Sequence, residues 1–190
     1  MNSAAFRIVV GAAAIGFSAL YVLSDVMELI VGGLFTSQLI VTYVAEVAIP
    51  FFVLGLSAVQ QPRGGWLSTV GALLYGIAFV GFSATVLYPL VTGIRDADAV
   101  FDDFGAIYGV HAGLALVGGV AFGISVIRAG VFPRWTGIAL IAGLLLTAVL
   151  VLLGLSESTQ TLGTAARSLA FAAMGAACLR LRTPDRDMTG

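Results

Sequence analysis

Cutting the chain at its charged residues leaves long apolar runs: Ile8 to Ser24, Leu29 to Ala45, Gly64 to Ile94, Phe104 to Ile127 and Trp135 to Ser156. A sixth run, Thr161 to Leu181, carries Arg167 in its interior. An α-helix rises about 1.5 Å per residue, so about 20 such residues cross a ~30 Å hydrocarbon core. The pattern predicts six transmembrane helices, near 5–30, 38–60, 66–91, 104–128, 135–155 and 161–181. The fold class expected is all-α, a polytopic transmembrane bundle forming one integral membrane domain over residues 1–190, with a short cytoplasmic tail at 182–190.

Composition sharpens this picture. Only nine of 190 residues are basic and ten acidic, 10% charged, where a soluble domain carries about 25%. Hydrophobic residues make up 59% and the mean hydropathy is +1.06. These values exclude disorder, collagen-like repeats, coiled coils and disulfide-rich secreted scaffolds. A net charge of −1 leaves no footprint for nucleic acid. The partner expected is the lipid bilayer of the cell membrane, with a homo-oligomer of the chain left open.

The arginines set the orientation, because short cytoplasmic loops are enriched in basic residues. Arg7, Arg63, Arg128, Arg134, Arg180, Arg182 and Arg186 fall on one side of the six spans, and only Arg95 falls in a loop of the other. Asp25, Glu28, Asp96, Asp98, Asp102, Asp103 and Glu157 gather at that other side, against Asp185 and Asp187. Both termini are expected in the cytoplasm. Arg7 followed by an apolar run and Val22-Leu23-Ser24 also reads as a cleavable leader, which would leave five spans, although the A-x-A pattern is missing.

Three counts remove whole chemistries. The chain has no lysine, which excludes a Schiff base with retinal or pyridoxal phosphate. Its single histidine, His111, excludes bis-histidine haem ligation and three-histidine zinc. Its single cysteine, Cys178, excludes an intrachain disulfide or a CxxC pair. No cofactor and no metal site are expected. The acidic loop from Arg95 to Asp103 lacks the glycine turn and closing glutamate of a calcium-binding EF-hand.

Pro62-Arg63-Gly64-Gly65-Trp66 and Pro133-Arg134-Trp135 repeat one signal before two spans. Proline starts a helix, arginine faces the cytoplasm and tryptophan prefers the headgroup layer. Interface chemistry accounts for both, and a duplicated hairpin is the alternative. The stretch Val131-Phe132-Pro133-Arg134-Trp135-Thr136-Gly137 resembles a loop of small uncharacterised multi-span bacterial integral membrane proteins. That resemblance implies a membrane protein and supplies no catalytic residue.

Charges at membrane depth cost about 2.5 to 3.5 kcal/mol on insertion scales, so each one asks for a reason. Glu46 lies about 12 Å below the outer surface, counted from Gln38; His111 about 10 Å, from Phe104; and Arg167 about 9 Å, from Thr161. Asp25 lies roughly 27 Å above Arg7, with Glu28 one turn beyond. Residues three or four apart share a helix face. Ser18, Tyr21, Asp25 and Glu28 therefore make one polar stripe, and Gln38, Thr42 and Glu46 another, with Pro50 one turn further able to loosen a carbonyl. Tyr108 with His111, and Thr164, Arg167, Ser168, Phe171, Gly175 and Cys178, supply two more. The fifth span, with Thr147 as its interior polar residue, is expected to face lipid.

The predicted ligand or proton site is Glu46, His111, Arg167, Asp25 and Glu28, supported by Tyr21, Thr42, Tyr108 and Ser168. An unpaired carboxyl at this depth stays protonated and can give up a proton, whereas a carboxylate beside Arg167 stays ionised. Alternation between those states is how a proton-coupled carrier works, and arginine also grips a carboxylate or phosphate through two parallel bonds. Three functions follow. A small proton-coupled carrier or channel for a small or anionic ligand requires a cavity open at the outer face. An intramembrane acid/base enzyme acting on a lipid or isoprenoid, with Phe51, Phe52, Phe79 and Phe82 as cation stabilisers, requires one open sideways. A non-catalytic subunit or assembly factor requires no cavity, only an ion pair that fixes helix register. Dense small residues, Gly109, Gly113, Gly118, Gly119 and Gly123 on the fourth span among them, are expected to pack helices closely.

Overall fold

The computed structural model describes residues 3–32, 34–154 and 157–181, without the side chains of 3, 97–98, 101–102 and 157–160. The predicted tail at 182–190, with Arg182, Asp185, Arg186 and Asp187, lies outside the described residues. Among the described residues six helices follow one another: α1 (Ser3–Val31), α2 (Thr36–Val59), α3 (Gly65–Thr92), α4 (Ala97–Ala129), α5 (Arg134–Leu152) and α6 (Glu157–Arg180). All six are long and apolar enough to cross a membrane. The chain is a multi-pass, all-helical membrane protein.

Short turns force consecutive helices to run antiparallel, and here they also force a ring. Each helix packs on its neighbours in sequence, and α6 closes the circle against α1. Arg7, Arg63, Arg128, Arg134 and Arg180 sit at one end of the ring, called here the arginine face; the opposite end is the acidic face. Trp66 and Trp135 stand 75% and 48% exposed at the arginine face, as headgroup-layer residues do.

Every seam of the ring is drawn in by a glycine. A Cβ on Gly11 of α1 would lie 2.8 Å from the Gly175 oxygen of α6, and one on Gly71 of α3 would lie 2.5 Å from the Phe122 nitrogen of α4. Gly123 faces Gly137 across α4 and α5, and Gly143 faces Gly163 across α5 and α6. Gly55 meets Val10, and Gly76 meets Pro50, on the two seams of α2. Membrane helices lack a hydrophobic force between them, so contact through small residues is what holds them.

The ring is filled towards the arginine face and hollow towards the acidic one. Phe52, Tyr75, Phe122 and Phe171 plug its centre, with ring centroids 5.4 Å apart for Phe52 and Phe171 and 5.6 Å for Tyr75 and Phe171. Below the plug the Gln60 amide, fully buried, donates to Ser125 on α4 at 3.0 Å and to Ser68 on α3, while Ser57 and Ser68 share a 2.8 Å bond. That polar knot ties α2, α3 and α4 together where the helices converge.

Three boundaries differ from those expected. α4 begins at Ala97, not near 104, so most of the acidic loop is its first turns. Carboxylates favour a helix N-terminus, and nothing in Asp96 to Asp103 breaks a helix. α5 ends at Leu152 because Gly154 takes a left-handed φ of 64° that stops the helix. α6 starts at Glu157, ahead of the expected 161.

Candidate functional site

The hollow end encloses a cavity of about 830 Å3, lined from the acidic-side half of all six helices, within the ~300–1,000 Å3 of small-molecule sites. It runs from Gly32, Leu34 and Thr161 at the rim down to Glu46, Phe79 and Arg167. Asp25, Glu28 and Tyr21 reach it from α1, Thr42 and Glu46 from α2, Tyr108 from α4, and Thr164 and Arg167 from α6. Four of the five predicted site residues therefore line one space.

His111 does not line it. Its ring packs against Gly81 and Phe82 of α3, and its Nδ1 is bonded to the Ile107 carbonyl at 2.8 Å. Gly81 leaves the room that the imidazole fills, so the local chemistry there is packing. Tyr108, a turn away, packs its ring at a tilt on Phe82, centroids 5.1 Å apart, and does line the cavity. Ser168 is buried beneath the floor, where a void of about 20 Å3 lies among Tyr21, Tyr75, Arg167 and Phe171, room for about one water.

Glu46 is 4% exposed. The Tyr21 hydroxyl donates to its Oε1 at 3.2 Å, and its Oε2 has no hydrogen-bond partner. Proline at 50 supplies no N–H to the carbonyl four residues back, so the Glu46 backbone oxygen also loses its helical partner. Arg167 donates through an Nη to Thr164 Oγ1 at 2.8 Å, and its Nε has no partner. Among the described residues no carboxylate lies within ion-pairing distance of this guanidinium. The register-fixing pair between Arg167 and Glu46 or Asp25 is therefore not formed.

A second polar group lies higher on the same wall. Gln38 Nε2 donates to Glu28 at 3.3 Å, to Ser24 at 3.3 Å and to Thr42 at 3.1 Å, and Ser24 is bonded to Thr42. Thr42 also donates to the Gln38 carbonyl at 3.0 Å. This network ties α1 to α2 and sets Glu28 beside the rim. Arg95, the one arginine in a loop of the acidic face, donates to the Pro89 carbonyl at 2.8 Å and to Thr36 at 3.0 Å. It caps α3, as a cation at a helix C-terminus does, and pins the start of α2.

No family model, no curated protein and no solved structure matches the chain. Its function has to be argued from this cavity.

Two expectations need correcting. Phe51 is 74% exposed on the outside of α2, so it cannot stabilise a cation in the cavity; Phe79 and Phe82 do line it. The fifth helix faces lipid on one side only, because Leu144, Thr147, Ala148 and Val151 of α5 line the cavity. Thr147 turns its hydroxyl back to the Gly143 carbonyl at 3.0 Å. Among the described residues no cluster of three metal-ligating side chains exists. The Gln60 and Ser125 knot escaped sequence reading, because both residues stand at helix ends where polar side chains are ordinary.

Proposed function

We propose that the protein is a carrier that takes a small acidic ligand into this cavity together with a proton. Arg167 grips the anion and Glu46 holds the proton. One observation carries this reading: a guanidinium and a carboxyl, both at membrane depth and both with an unpartnered polar atom, line the same cavity. Leaving such groups unsatisfied is costly in a low dielectric, and a ligand bridging them removes the cost. A carboxylate or phosphate oxygen accepts from Arg167 Nε while a protonated Glu46 donates to it, so anion and proton bind as a unit. The groups facing Glu46 are Tyr21 and Asp25 on α1, Phe79 on α3, and Arg167 on α6.

The test is made in proteoliposomes holding a pH-sensitive dye, with membrane-impermeant succinate or inorganic phosphate added outside. The expected result is lumenal acidification that Arg167→Gln abolishes and that Glu46→Gln uncouples from anion uptake. No anion-dependent acidification by the wild type, or full coupling in Glu46→Gln, overturns the reading.

An intramembrane enzyme acting on a lipid is the second reading, favoured by the open flank of the cavity between α4 and α5 described below. The third function predicted neither a cavity nor an unpaired Arg167, so those two observations count against it.

A further inference from the structure

The cavity has two unlike walls. α1, α2 and α6 bring Asp25, Glu28, Thr42, Glu46, Thr164 and Arg167, whereas α4 and α5 bring Gly109, Gly113, Leu116, Leu144, Ala148 and Val151. At the apolar wall the ring is not closed. α4 and α5 touch at Gly123 against Gly137 and at Gly119 against Leu144, both nearer the arginine face. Above those contacts, a Cβ added at Gly105, Gly109 or Gly113 would meet nothing within 4 Å.

Helical geometry shows where that empty space leads. At about 100° per residue, the cavity-lining stripe of Gly109, Ala112 and Gly113 merges directly into the outward stripe of Ile107 and Val110, which are 59% and 62% exposed. No packed face separates the two. On α5, Val151 and Leu152 likewise line the cavity and are 51% and 84% exposed. The cavity runs out sideways between α4 and α5. Gly113 lies about 15 Å inside the span that begins at Asp103, which is hydrocarbon depth.

The glycine stripe alone would be no site. An independent observation points to a ligand: Glu46, 4% exposed, lines the same space and keeps a buried Oε2 without a partner. The two approaches to the site differ: the way down from the acidic face runs past Asp25 and Glu28, which line the upper wall. A molecule sliding in from the bilayer past the glycine stripe meets no charge before Arg167 and Glu46.

We propose that the ligand is an anionic single-chain amphiphile, its carboxylate or phosphate head held between Arg167 and Glu46 and its hydrocarbon tail leaving between α4 and α5 over Gly105, Gly109 and Gly113. This rests on the ligand site described above and names its substrate class. The glycines are then open because a methylene chain lies on them, not because a helix does.

The probe is palmitate bearing a diazirine at its terminal carbon, compared with the matching hexadecyl phosphate and hexadecyltrimethylammonium, added to the full chain in phosphatidylcholine nanodiscs. Photolabelling followed by peptide mapping is expected to place the tail on residues 105–113 and 148–152. Gly113→Leu and Arg167→Gln each lower that labelling at least tenfold, and Gly16→Leu, at an open position on the outside of α1, leaves it unchanged. The stronger of the two acidic probes tells carboxylate from phosphate. Label spread over outward residues such as Val44 and Val80 in proportion to their exposure overturns the proposal, as does an ammonium probe that labels the flank equally well. An α4 to α4 crosslink between two copies assigns the stripe to a dimer and overturns it too. If the flank stays unlabelled while succinate or phosphate still drives acidification, the amphiphile is wrong and the carrier stands; if both fail, both are wrong.

Discussion

The glycines of α4 divide into a packed set and an open set, and adding one carbon to each tests the division. A Cβ on Gly118 would lie 2.5 Å from the Tyr75 nitrogen, 2.8 Å from Leu74 Cβ and 2.9 Å from the Gly71 oxygen. Backbone on one side and a branch point on the other leave no flexible end to yield, so Gly118→Ala has to push α3 and α4 apart. Overpacking of this kind costs about 1–3 kcal/mol. For a chain of this size 1 kcal/mol moves the melting temperature by about 2–4 °C, so the loss expected is roughly 2–12 °C. Gly109→Ala meets nothing within 4 Å and gains helix propensity over glycine, about 1 kcal/mol in an exposed helix interior. It should melt at or slightly above the wild-type temperature. Melting of the purified protein in detergent, followed by size exclusion or intrinsic fluorescence, reads both. Equal losses for the two variants, or an unchanged melting point for Gly118→Ala, would refute the claim that α4 is packed in one half and open in the other.

Glu46→Gln keeps an acceptor for the Tyr21 hydroxyl while removing an acid that has no arginine partner, so its melting temperature should equal or exceed that of the wild type; a loss of several degrees, rescued by Arg167→Gln, would show a structural ion pair instead. Gln60→Leu leaves the hydroxyls of Ser68 and Ser125 without their donor, at about 1–3 kcal/mol, and should lower the melting temperature more than Gln61→Leu, whose bonds to Gly65 and Thr69 are exposed. The Ser57 to Ser68 contact closes the α2–α3 seam at the arginine face, and we take this seam as the one a carrier parts to release its ligand. Ser57→Cys with Ser68→Cys, in a Cys178→Ala background, should therefore block transport once oxidised and recover with reductant, while ligand binding persists. Transport that continues through a verified crosslink would rule out movement at that seam.

Depth was legible in the sequence and azimuth was not. The rise of a helix is fixed, so counting from a span's end places Glu46, Arg167 and Asp25 at one level, and they line one cavity in the structure. His111 passes the same count, yet its direction depends on which neighbour leaves space, and Gly81 on α3 does. Nothing in α4 itself encodes that. The partners of a glycine are hidden in the same way: Gly113 and Gly118 look alike along the chain, and only the space each faces separates them, α3 backbone at Gly118 and nothing within 4 Å at Gly113. The six spans came through because apolar run length is a one-dimensional quantity. The start of α4 did not, because the change in hydropathy near Phe104 marks where the chain leaves the membrane, and the helix continues past that point to Ala97.

The arrangement of costs makes the strongest case for a ligand. At the arginine face the chain satisfies most of the polar side chains it buries: Gln60 donates to two serines, Ser57 shares a bond with Ser68, and Ser125 also donates to the Phe122 carbonyl. On the α1 and α2 wall Gln38, Ser24 and Thr42 do the same for one another. Each knot leaves one amide oxygen over, Gln60 Oε1 and Gln38 Oε1; between them Arg167 and Glu46, the two groups that can carry charge, each leave a polar atom over at the level where the penalty is high. A fold that needed them only as a register lock would bring the two into contact, since a broken buried pair costs more than none at all. Tyr21 instead holds Glu46 and Thr164 holds Arg167 by one end, and the Glu46 Oε2 and Arg167 Nε stay without a partner in the wall of the cavity. That geometry is preorganised for something that arrives.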